Sequence, residues 1–191
     1  MKKIYSVFFM AAFLCTIINA FTVVKITVSS ENSLYIDFLE RAAENFNSTD
    51  EELKIDIITQ ELPQGDNCVD VILVEEFSFE KHMINKDIFP LDLYIRLDSF
   101  YLDDFFFEML SHFSYGGKIY GLPTGFYSNP GRINVKAEHV EKNVLCAFAI
   151  CNNSEFKEEA WTIIKYLTCE GQKILMENDF YFPSRKSLLD F

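Results

Sequence analysis

Val24, Ile26 and Val28 alternate with Lys25 and Thr27, the period-two pattern of a half-buried strand. Ser29-Ser30-Glu31-Asn32-Ser33 then offers turn and helix-capping residues. Tyr35, Phe38, Leu39, Ala42 and Phe46 recur at helical spacing, and that stripe ends near Asn47. Leu53, Ile55 and Ile57 mark a second alternating strand. Val69-Asp70-Val71-Ile72-Leu73-Val74 is nearly continuous apolar sequence, as expected of a strand covered on both faces. Strand, helix, strand and strand in this order predict an open, mostly parallel α/β sheet.

The pattern is coarser further on. Phe77 to Ile84 reads as a short helix, Ile88 to Ile95 as a loop into a packed segment, and Asp103 to Leu110 as an aromatic-rich helix. Gly116-Gly117 signals a tight turn, while Pro123 bars Leu122 from helix. Pro130 to Asn143 is polar without a period and reads as a surface connection. Val144 to Ile150 is again an apolar strand. Phe156, Ala160, Ile163, Ile164 and Leu167 form a helical stripe with Asn153 or Ser154 as its cap. Thr168 or Cys169 can cap a following helix that contains Ile174 and Leu175.

The chain has 191 residues, 49% of them hydrophobic and 16% aromatic, enough for one domain with a real core. Its net charge of −12 argues against a phosphate-neutralising nucleic-acid surface. Residues 1–20 read as a signal peptide, with Lys2-Lys3, an apolar core from Ile4 to Ile18 and a cleavage motif at Ile18-Asn19-Ala20. The apolar run is too short for a span, so a secreted chain with no membrane span in its mature part is expected. Cys15 leaves with the leader, so Cys68, Cys146, Cys151 and Cys169 remain; three full pairings are possible, and buried thiols are the alternative. Asn47-Ser48-Thr49 and Asn152-Asn153-Ser154 match the glycosylation pattern, which matters for a eukaryotic source.

Nothing supports an enzyme. His82, His112 and His139 are isolated, and no zinc spacing, nucleophile elbow or phosphate-binding glycine loop occurs. No cofactor or metal is expected. Glu75-Glu76 and Asp103-Asp104 are adjacent in sequence and point in different directions, so neither is an acid/base dyad. Binding has more to stand on, because open α/β sheets hold ligands beyond the carboxyl ends of their strands. Those ends present Ser29, Ser30, Glu31, Glu75, Glu76 and Phe77, with Tyr127 from the later strand. Hydroxyls, carboxylates and flat aromatics suit a sugar. Taken singly, each residue is better explained as a cap, a solvated charge or a packing ring, because these are commoner than ligand contacts.

Gly117-Lys118-Ile119-Tyr120-Gly121-Leu122-Pro123 resembles the hinge of extracellular, periplasmic-type solute-binding proteins of carbohydrate-binding family 1. The helix from Lys157 to Gln172, with Trp161, resembles the one after that family's return strand, and Phe182-Pro183-Ser184-Arg185-Lys186-Ser187-Leu188 resembles its ending. The resemblance implies a type II periplasmic-binding fold and marks Trp161 as structural. It covers residues 22–129 and 144–188 as lobe one, joined by a connector at 130–143, with most of lobe two missing. Residues 21–191 are then one α/β lobe, in which Val144 to Ile150 returns antiparallel beside the third strand. That placement makes Cys68 with Cys151 the preferred disulfide and Cys151 with Cys169 the runner-up. The implied function is weak, non-catalytic extracellular binding of a small polar ligand, a saccharide, at a half-site. The alternative is a secreted interaction or vestigial protein, or a wrongly joined gene model, without small-molecule binding. A protein partner on the face left by the missing lobe would belong to that alternative.

Overall fold

The computed structural model describes residues 21–28, 33–59, 69–127, 144–177 and 181–189. Its first half runs β1 (Thr22–Val28), α1 (Ser33–Thr49), β2 (Leu53–Thr59), β3 (Val71–Glu75), α2 (Glu76–Asn85), β4 (Ile88–Phe89), α3 (Asp92–Leu97) and α4 (Phe107–His112). Then come the hairpin β5 (Ser114–Tyr115) and β6 (Lys118–Ile119), followed by β7 (Leu122–Tyr127) and β8 (Val144–Cys151). The chain closes with α5 (Lys157–Thr168), α6 (Glu170–Leu175) and β9 (Tyr181–Pro183).

The strands form one sheet in the order β2-β1-β3-β8-β7-β9, with β4 also pairing β8. β1 lies parallel to both β2 and β3, with Val24 opposite Ile55 and Ile26 opposite Val71. β8 is antiparallel to β3, β4 and β7, and β9 is antiparallel to β7. Strands β1, β2, β3, β4 and β7 therefore share one direction, and only β8 and β9 oppose it. The antiparallel return strand stands where the sequence placed it.

Continuous apolar strands are explained by cover on both faces. Val71 in β3 and Cys146, Phe148 and Ile150 in β8 face a core built from α1, α5 and α6, including Phe38, Leu39, Ala160, Ile163 and Ile164. Ile72, Val74, Leu145, Ala147 and Ala149 face the opposite core, with Phe79 of α2 and Met109 of α4. At roughly 25 cal/mol per Å² of apolar surface removed from water, these two layers dominate the stability. Trp161 is core, as expected; its ring stacks on Tyr94 at 6.1 Å and its Nε1 donates to Asp98 Oδ2 at 2.8 Å.

Some expectations shift. The stretch from Asp103 to Leu110 is not one helix: a 3-10 turn at Leu102–Asp104 gives way to extended, buried Phe105, and α4 starts only at Phe107. Phe105 is held open by a bridge to Arg185, so a long-range contact overrides local helix preference. Ser154 is not the cap of α5, whose boundary falls at Phe156; instead the Ser154 hydroxyl accepts from Phe156 N at 3.0 Å and donates to Asp70. Cys146, Cys151 and Cys169 carry free thiols. Both members of the runner-up pair, Cys151 and Cys169, are therefore unbridged, with the 12 residues of α5, about 18 Å of helix, between them in the chain. Cys68, the other half of the preferred bridge, lies outside the described residues, as do the signal segment and the connector at 130–143. No helix among the described residues is long and apolar enough to cross a membrane.

Candidate functional site

The shared direction of β1, β3 and β7 brings their carboxyl ends to one side of the sheet. One level below that end, a row runs across the strands: Glu75 of β3, Cys146 of β8, Gly125 of β7 and Pro183 of β9. Tyr127 ends β7 two residues further on, paired with Val144 on one side and Tyr181 on the other. The ends of β3 and β7 are two strand spacings apart, about 10 Å, a gap that one small ligand can bridge.

Under this row lies a buried polar cluster. Tyr35, from the first turn of α1, places its hydroxyl 2.8 Å from Thr124 Oγ1. The Thr124 hydroxyl donates to Cys146 O at 3.3 Å, so Tyr35 must be the donor in the first bond. Gly125 has φ of +122°, which glycine adopts readily, and it has no room for a side chain: a Cβ there would stand 2.3 Å from Phe182 O and 2.6 Å from Tyr181 Oη. The Tyr181 ring fills that slot, and its hydroxyl is buried without a hydrogen-bond partner among the described residues. Burial raises the pKa of both tyrosines well above the ordinary value; burial and then the Glu75 charge raise that of the Cys146 thiol. All three stay neutral near pH 7 and act as hydrogen-bonding groups, not as bases or nucleophiles.

A second buried set braces β7 against the chain end. Gln172 Nε2 donates to Ser184 Oγ at 2.6 Å, Ser184 Oγ donates to Pro123 O at 2.6 Å, and Ser184 N donates to Gln172 Oε1 at 3.2 Å. Each donor has an acceptor, which makes the closing segment rigid.

The structure brings together only part of the expected lining. Glu75 is half-buried beside Cys146, and Phe77 is 65% exposed at the start of α2. Glu76 is not simply solvated: its Oε1 lies 2.8 Å from His112 Nδ1 and links α2 to α4. Tyr127 is at the level expected from its strand. Ser29, Ser30 and Glu31 lie outside the described residues. Sequence reasoning passed over Tyr35 as one member of a core stripe and over Tyr181 altogether. Tyr181 carries no local signal, because its slot is made by a glycine 56 positions earlier in the chain. His82 has a packing role, buried with Nδ1 3.0 Å from Asp87 Oδ2, and His139 lies outside the described residues. Asp104, far from forming a dyad with Asp103, accepts from Arg185 Nε at 2.6 Å and Ser187 Oγ at 2.7 Å. No group of three metal-ligating side chains occurs among the described residues.

No family model and no curated protein matches the sequence. Solved structures do match in fold. An ABC substrate-binding protein from Listeria monocytogenes in complex with cycloalternan is 11% identical, with a TM-score of 0.69 over 87% of this chain and 80% of that one. UgpB from Mycobacterium tuberculosis in complex with glycerophosphocholine gives 10% identity and a TM-score of 0.68, covering 89% and 81%. Maltose-bound MalE3 of T. maritima gives 10% and 0.66, covering 88% and 83%. Likeness at such low identity speaks to the backbone alone, and on the backbone it is consistent from one structure to the next. The chain has the α/β fold of a lobe of the type II periplasmic-binding proteins.

Proposed function

We propose that the chain is a secreted, non-catalytic binding protein that holds a small polar ligand, a saccharide, at the carboxyl end of its sheet. The reading is carried by one observation: at the end where open α/β sheets hold ligands, a buried Tyr181 hydroxyl has no partner among the described residues. Among the described residues it is the one buried side-chain nitrogen or oxygen left unbonded. The lining comprises Ser29, Ser30, Glu31, Glu75, Glu76, Phe77 and Tyr127, with Phe77 offering a flat apolar face and the others hydrogen bonds. The solved relatives that bind maltose and cycloalternan support a saccharide as ligand class. Secretion is supported by the leader pattern of residues 1–20.

A lobe alone leaves one side of the ligand wet. Halving the contacts of a micromolar site, worth roughly 8 kcal/mol, leaves about 4 kcal/mol and millimolar affinity. Without an opposing lobe, ligand-driven closure is not available as a signal. Titration with a panel of sugars, followed by NMR, should give small fast-exchange shifts at Glu75–Phe77 and Tyr127. Silence there at tens of millimolar, for every sugar, retires the reading; submicromolar binding refutes the half-site. The 65% exposure of Phe77 also suits a protein partner on the same face, the reading left standing if all sugars are silent.

A further inference from the structure

The two glycosylation sequons sit in opposite settings. Asn47 belongs to the last turn of α1, and its amide lies along the outer edge of β2. Nδ2 donates to Ile55 O at 3.0 Å, and Oδ1 accepts from Ile55 N at 2.7 Å. Because β2 ends the sheet on this side, the Asn47 amide stands where the peptide of a further strand would pair. Neighbouring bonds secure the same junction: Lys54 Nζ donates to Asn47 O at 2.6 Å, and Leu53 N donates to Asp50 Oδ1 at 2.8 Å.

Asn152 is exposed in the turn after β8. Its backbone N–H donates to Asp87 O at 2.8 Å, and its side-chain amide makes no hydrogen bond to a described residue. The hydroxyl of its sequon is a different matter. Ser154 is buried and donates to Asp70 Oδ1 at 2.6 Å, so sugar transfer to Asn152 must precede closure of this turn.

Transfer joins Nδ2 to the anomeric carbon of a lipid-diphosphate-linked sugar; the diphosphate leaves and the amide gives up one proton. In the planar trans form of the resulting secondary amide, the new substituent lies on the side of the carbonyl oxygen. The hydrogen that Asn47 gives to Ile55 O is on that same side, because Oδ1 and Nδ2 address one residue from one edge of the amide. A glycan on Asn47 would replace the bonding hydrogen and put a sugar into the edge of β2. On Asn152 it meets solvent.

We propose that Asn152 carries the glycan of the folded protein, attached before its turn closes, and that Asn47 is an edge lock that folds only unmodified. The inference rests on the secreted reading and not on sugar binding. The test is expression of the full chain in insect cells, with its own leader and in parallel with a host leader, then glycopeptide mass spectrometry of the folded monomer. Asn152 should be occupied and Asn47 bare. Asn152→Gln should abolish the glycan, whereas Thr49→Ala, which removes the other sequon without touching the lock, should leave the glycan mass unchanged. A folded monomer carrying sugar on Asn47, or bare at both sites with either leader, overturns the proposal. Sugar titration of the same sample reads the binding site separately.

Discussion

The two ends of the sheet differ in how completely they use their polar groups. At the amino end of β3, Asp70 is only 3% exposed, yet nothing is left over. Its Oδ2 accepts from Lys25 N at 2.9 Å, its Oδ1 from Ser154 Oγ at 2.6 Å, its N–H donates to Lys25 O and its carbonyl accepts from Cys151 N. One residue ties β3 to β1, to the end of β8 and to the turn that follows it. At the carboxyl end, the Tyr35–Thr124 pair is satisfied, but the Tyr181 hydroxyl has no partner among the described residues. A fully bonded network rigidifies, whereas a buried orphan costs stability and calls for a reason. One end is built for the fold; the other leaves a buried hydroxyl unbonded among the described residues, at the end proposed here for a ligand.

The contrast can be broken hardest at Gly125. Gly125→Ala would force a side chain onto Phe182 O at a φ that L residues avoid. The strain alone is worth on the order of 1–3 kcal/mol, and displacing β9 adds to it, so a loss of about 4 kcal/mol in urea denaturation is expected. Asp70→Ala should cost about 3 kcal/mol by the same measurement, since it strands a buried N–H and a buried hydroxyl. If Asp70→Ala were neutral, the amino end would not be the stabilising end.

Acid should loosen a third place, the chain end. Burial alone would raise the Asp104 carboxyl, but the hydroxyl and N–H of Ser187, with Arg185, outweigh it and leave it below the ordinary value of 3.8. Asp98 is likewise lowered, first by Lys165 and then by the Trp161 N–H. Both contributions are present above the ordinary carboxylate pKa and are lost as pH falls through the depressed folded values. Urea midpoints should therefore fall below about pH 4, and Ser187→Ala should shrink that fall.

The smallest effect on stability is the most telling. Tyr181→Phe removes a buried orphan and should leave stability unchanged or raise it by up to about 1 kcal/mol, while weakening the sugar-induced NMR shifts. A loss of more than 1 kcal/mol would mean that the hydroxyl has a structural partner and that the contrast between the two ends is false. Thiol labelling gives a control at the stable end: burial, then Asp70 and Asp87, push the Cys151 thiol up to about 12, so it should react slowly at pH 8.

Periodic signals carried the fold well. Alternation located β1 and β2, continuous apolar runs located β3 and β8, and the hinge motif located β7. What stayed hidden depends on contacts far along the chain. Phe105 is extended because of Arg185, Ser154 serves Asp70 more than its own helix, and Tyr181 is placed by Gly125. The candidate site was legible only as strand ends, through Glu75, Phe77 and Tyr127. Its polar floor was not, since Tyr35 in an amphipathic stripe looks like any other core aromatic.

The central place of β8 has a consequence for the order of folding. β8 is made late, yet it alone bridges β3 to β7 and also pairs β4. Until residue 151 has been synthesised, β3 has an unpaired edge, and the apolar faces beside it lack their largest neighbour. The sheet therefore cannot assemble in step with translation, strand by strand. The topology predicts that its slow event is insertion of one late strand between two earlier ones, a high-contact-order step. Chains stalled before that insertion expose an apolar edge and depend on a holding factor or on speed to avoid pairing with each other.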